Sequence, residues 1–172
     1  MAKAGEAPIL NPKAGLAAFE EDLERVLRLE GASKLEDLGW VRHDKLTLLV
    51  PMEGVKDGKT DDFMLRLGFH AYREWPPSAQ FVNPKTLAYV HGPDNHHVPQ
   101  LTSSECHTHL AYAHPKGGTV QLICCSATFE FYDVLHGVEP RHVWSSSNNF
   151  NSTITAIRRA ITSHYQGRFP NG

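Results

Sequence analysis

Asp62–Pro84 reads DFMLRLGFHAYREWPPSAQFVNP, and its periods decide the fold class. Phe63, Leu65, Leu67 and Phe69 alternate with Met64, Arg66, Gly68 and His70, as a half-buried strand requires. Trp75-Pro76-Pro77 breaks the alternation, since proline has no N–H to give a ladder. Ala79-Gln80-Phe81-Val82 resumes it before Pro84. Upstream, Leu46-Thr47-Leu48-Leu49-Val50 predicts another strand, ended by Pro51, and the polar, glycine-bearing stretch from Gly54 to Asp61 suits a hairpin turn. Connections this short exclude parallel crossovers, so the strands form an antiparallel meander.

Helical periods flank the meander. Leu16, Phe19, Leu23, Val26 and Leu27 recur at helical spacing, with Glu20, Glu21, Glu24 and Arg25 on the other faces and Gly31 as the stop. Phe150, Ile154, Ile157, Ile161 and Tyr165 predict a second helix, capped by Asn148 or Asn149 and stopped by Gly167. Residues 83–117 show no period and read as a long irregular loop. Residues 1–13 read as a flexible N-terminus and 14–172 as a single α+β domain: N-terminal helix, antiparallel meander of three or four strands, long active-site loop and C-terminal helix.

The chemistry is concentrated in Thr119–Trp144, TVQLICCSATFEFYDVLHGVEPRHVW. A strand-like run from Thr119 to Ile123 ends in two thiols, Cys124 and Cys125, which face opposite ways if extension continues. Glu130, His136 and His142 follow. A thiol needs a base to become a thiolate at neutral pH, an imidazole can supply it, and a carboxylate can fix the imidazole's tautomer. The same donors suit zinc. The alternative metal sets are Cys124, Glu130, His136 and His142, or the upstream group Cys106, His107, His109 and His114.

A net charge of −2 with scattered Lys and Arg argues against a nucleic-acid partner. No apolar run reaches the length of a membrane span, and an odd count of 3 cysteines reads as free thiols in a reducing cytoplasm.

The order of elements resembles the ubiquitin-conjugating (UBC) fold. The residues that carry the resemblance are Tyr72, the Trp75-Pro76-Pro77 corner, Phe81-Val82-Asn83-Pro84, the Gly117–Cys124 approach to a thiol, and Trp144 ahead of a helix. Ile123-Cys124, Glu130, His136, His142 and Trp144 are similar to bacterial relatives with a Cys-Glu-His-His signature, found in ubiquitination-like operons. The resemblance implies a conjugating enzyme that carries a ubiquitin-like protein as a thioester on Cys124 and transfers it to a target lysine; the strand-end position of the two thiols leaves Cys125 as the alternative nucleophile. Glu130, His136 and His142 would tune protonation, and no cofactor is implied. The partners would be a ubiquitin-like protein and an activating-like enzyme that docks on Lys13, Glu20, Glu24 and Arg28 of the first helix, in a pathway with an antiphage role. No His-Pro-Asn tripeptide precedes the cysteine, so the usual oxyanion donor has no counterpart here. A zinc-binding domain and an inactive UBC-like docking module are the other readings.

Overall fold

The computed structural model describes residues 7–135 and 143–172. Helix α1 spans Pro12–Leu29, starting two residues before the predicted boundary because Asn11 caps it: the Ala14 N–H donates to Asn11 Oδ1 at 3.2 Å. Pro12 at the first helical position loses no hydrogen bond. A single-turn 3-10 helix, Leu35–Leu38, leads into a sheet of four antiparallel strands in chain order: β1 (Val41–Asp44), β2 (Thr47–Lys56), β3 (Lys59–Gly68) and β4 (Ser78–Val82).

The expected meander is present, with two differences. Strand β2 does not stop at Pro51; β1 pairs with it only as far as Leu49, so Pro51 lies on an uncovered edge where a missing N–H costs nothing. The hairpin turn contracts to Asp57 and Gly58, both at positive φ (52° and 74°), between the paired residues Lys56 and Lys59. That is the two-residue turn whose twist matches its strands.

Residues 83–117 are not one irregular loop. They contain a short turn at Asn95–His97, strand β5 (Pro99–Leu101) and strand β6 (His107–Ala113). Strand β6 pairs antiparallel with β7 (Thr119–Cys124), and α2 (Phe129–Asp133) follows the turn after the cysteines. Helix α3 runs Phe150–His164, capped by Asn149, whose Oδ1 accepts from the Asn151 N–H at 3.0 Å. Tyr165 is not its last residue: it opens β8 (Tyr165–Arg168), which pairs with β5. No helix among the described residues is long and apolar enough to cross a membrane.

The core is built where both helices meet the end of β3. Phe19 of α1 stacks on Phe69 with ring centroids 4.0 Å apart, and Phe150 of α3 meets the edge of Phe69 at 5.3 Å. Helix α1 comes close because Gly15 faces the backbone there; a Cβ would stand 1.8 Å from the Phe69 carbonyl oxygen. The predicted stripe Phe150, Ile154, Ile157 and Ile161 is buried throughout.

The Gln121 side chain ties strand β7 to the main sheet. The buried Gln121 amide accepts from the Phe81 N–H at 2.7 Å and donates to the Phe81 carbonyl at 2.8 Å, satisfying the open edge of β4 as a neighbouring strand would. Gln121→Leu keeps the bulk and leaves both Phe81 groups unpaired. It should lower stability by about 2–4 kcal/mol in urea unfolding, since each buried orphan costs about 1–3 kcal/mol.

Candidate functional site

The site is set by the β6–β7 register: His107 opposes Cys124, Thr108 opposes Ile123 and His109 opposes Leu122. Cross-strand partners share a face and so do alternate residues along a strand, which puts His107, His109 and Cys124 on one side of the hairpin. One ligand-capable atom from each, two imidazole nitrogens and the Cys124 sulfur, lies within 4.8 Å of the others. The two imidazole rings are 4.9 Å apart, centroid to centroid. The ladder slips just beyond, so that Tyr112 opposes Val120, and the Tyr112 ring packs 5.1 Å from His109.

The Nδ1 atom of His107 lies 3.2 Å from the Ser103 carbonyl oxygen. A carbonyl only accepts, so Nδ1 carries the proton and Nε2 keeps the lone pair that a base or a metal ligand uses. Cys124 is not open to water as an acyl carrier would suggest; it is only 5% exposed. Burial, with Cys125 beside it, pushes its thiol up to about 11. At neutral pH only about one molecule in ten thousand then holds a thiolate, so the sulfur needs a base or a metal to react.

Cys125 follows the last residue of β7 and is not part of this cluster. It is hydrogen-bonded with Cys106, which holds the Cys106 thiol protonated and draws Cys125 down. The turn after the thiols is tied from several directions. The Thr128 hydroxyl lies 2.9 Å from both the Ile123 and Cys125 carbonyls, and the Thr153 hydroxyl donates to the Ala127 carbonyl at 2.7 Å. The Tyr132 hydroxyl donates to the Ser126 carbonyl at 2.9 Å and accepts the Trp144 N–H at 2.7 Å. Trp144 in turn donates its indole N–H to the Arg73 carbonyl at 2.9 Å, joining the turn to the Trp75-Pro76-Pro77 corner.

The structure regroups the predicted site residues. Glu130 sits on helix α2, buried, and its carboxylate takes the Ser78 hydroxyl on Oε1 and the Ala79 N–H, at 2.9 Å, on Oε2. It braces the start of β4 and orients none of the described histidines. His136 and His142 lie outside the described residues. The downstream metal set includes two residues outside the described ones, and the upstream set is not assembled as predicted: Cys106 is hydrogen-bonded with Cys125, and His114 has both ring nitrogens engaged. Its Nδ1 accepts the Lys116 N–H at 3.0 Å and its Nε2 lies 3.0 Å from Asp133 Oδ2. What forms instead takes its thiol from the downstream set and two imidazoles from the upstream one. The signal was the His-x-His spacing of His107 and His109, which puts both rings on one face once the segment is a strand.

Burial pushes Glu130 up to about 7 from its ordinary 4.5. Between those pH values the native protein holds a proton that the unfolded chain has released, so this group's contribution to stability falls as pH rises. Glu130→Gln keeps a group that can bond Ser78 and Ala79 and removes that slope. Relative to the unsubstituted protein, the variant should gain about 2–3 kcal/mol between pH 5 and pH 8, read from urea midpoints. No family model, no curated protein and no solved structure matches the chain.

Proposed function

We propose that the protein is an acyl carrier of the ubiquitin-conjugating type, with Cys124 as the thiol that accepts the C-terminal glycine of a ubiquitin-like protein. The observation that carries the reading is the Cys124 sulfur at the end of β7, facing His107 and His109. In loading, the Cys124 sulfur attacks the donor thioester carbonyl and its proton passes to an imidazole. The tetrahedral intermediate collapses, and the donor's thiolate leaves, taking the proton back. In transfer, an imidazole takes a proton from the attacking lysine nitrogen, the amide forms, and the proton returns to the Cys124 sulfur.

The base work that the sequence assigned to His136 and His142 thus falls within reach of His107 and His109. A thiol pushed to about 11 gives a strongly nucleophilic thiolate once deprotonated, while its cover and its proton protect it from stray electrophiles. Loading requires the approaching donor to uncover the sulfur. The helix–meander–helix order supports the reading, and so does the buried Trp75-Pro76-Pro77 corner. The exposed Lys13, Glu20, Glu24 and Arg28 of α1 offer a charged face for an activating-like enzyme. The setting is cytoplasmic, in a bacterial ubiquitination-like pathway with an antiphage role.

The test uses two donors: a peptide thioester ending in Gly-Gly, and activating enzyme, ubiquitin-like protein and ATP together. Unsubstituted protein should gain one acyl group by intact mass, released by excess thiol. Cys124→Ala should gain none, and Cys125→Ala should load normally. His107→Ala or His109→Ala should slow loading by about 100-fold, the lower end of what a positioned base contributes. An undiminished adduct in Cys124→Ala would remove this sulfur from the role.

A further inference from the structure

We propose that His107, His109 and Cys124 form a site for one borderline divalent cation, Zn2+, on the same atoms that the acyl chemistry uses. The donor set decides the metal: one thiolate and two neutral imidazoles favour zinc and disfavour the hard cations Mg2+ and Ca2+, which take oxygen. Around a tetrahedral zinc, with Zn–N about 2.0–2.1 Å and Zn–S about 2.3 Å, ligand atoms stand about 3.4–3.6 Å apart. The three atoms here already lie within 4.8 Å of one another. Closure therefore takes side-chain rotations of about an ångström, with no movement of the strands.

The site is built rather than incidental. Both histidines sit on β6 directly across from the end of β7, so paired backbone sets their spacing. The Ser103 carbonyl orients the His107 ring and fixes its tautomer, the supporting hydrogen bond that metal-bound histidines characteristically make. Cys106 and Cys125 are hydrogen-bonded with each other and lie outside the three-atom cluster. Binding replaces the S–H bond of Cys124 by an S–Zn bond, and the proton is released to solvent. Three protein ligands leave a fourth position for water.

Zinc and an acyl group would then exclude each other at Cys124, because each takes the same sulfur lone pair. This exclusion rests on the acyl-carrier reading; the metal site does not. Zinc would hold the thiol in reserve, and a donor would load only the metal-free fraction.

The experiment measures binding first and loading second. Purified full-length protein, stripped with a chelator and checked by circular dichroism, is titrated with Zn2+ by calorimetry and with Co2+ by absorption. The expected result is one metal per chain, with a thiolate-to-cobalt charge-transfer band. Cys124→Ala should abolish the band, and His107→Ala and His109→Ala should each weaken binding at least tenfold. Cys106→Ala and Cys125→Ala should leave both readouts unchanged. Folded protein that binds no metal, or metal binding that survives Cys124→Ala, overturns the site. Loading with the Gly-Gly peptide thioester is then compared with and without stoichiometric Zn2+. Suppression reversed by chelator is expected, and full loading of the metal-bound protein overturns the exclusion. Metal binding in a protein that never loads upholds the site and removes the acyl-carrier reading alone.

Discussion

The pairing of His107 with Cys124 across β6 and β7 is the constraint on which the rest of the site depends. A one-residue slip of this register would turn Cys124 away from the imidazoles and set Cys125 opposite them. Two features hold the register. Thr108, between the histidines, is buried facing the other way, its hydroxyl donating to the Pro99 carbonyl at 2.7 Å and accepting the Leu101 N–H at 3.1 Å. Gln121, on β7, is fixed to both backbone groups of Phe81. The hairpin is thus anchored to β5 on one side and to the main sheet on the other, and the thiol inherits its position from both.

Two adjacent cysteines meet different surroundings because the β6–β7 pairing ends between them. Cys124 meets two nitrogen bases; Cys125 meets a third thiol, Cys106. Burial raises Cys124, and only a proton acceptor or a cation close by can offset that cost. His107 and His109 are suited to either offset, and the acyl and metal chemistries are two uses of one arrangement: a covered sulfur that reacts when something removes its proton. Glu130 has the other role open to a buried carboxyl. It joins α2 to β4, and so holds the chain downstream of the thiols against the sheet.

Much of the fold is legible in the sequence because its apolar residues keep strict periods. Phe63, Leu65, Leu67 and Phe69 are buried in alternation, and Phe150, Ile154, Ile157 and Ile161 line one helix face. Strand β6 is hidden for the opposite reason. Its sequence, HTHLAYA, opens with three polar residues in a row, His107, Thr108 and His109, and its one buried side chain, Thr108, is stabilised by hydrogen bonds rather than by apolar burial. Missing β6 carried a consequence for the site: without that strand, nothing in the sequence brings His107 and His109 to Cys124. Tyr165 misleads in a similar way. It continues the helical spacing of α3, yet packs its ring over Gly54 of β2 as the first residue of a strand.

The geometry of the cluster is most directly tested by histidine side-chain NMR, comparing the ring resonances of the unsubstituted protein with those of Cys124→Ala. If the Cys124 sulfur faces both imidazoles, the His107 and His109 rings should shift while His114, held by Asp133, stays in place. Unmoved His107 and His109 resonances, in a variant that remains folded, would contradict the arrangement and every chemistry built on it.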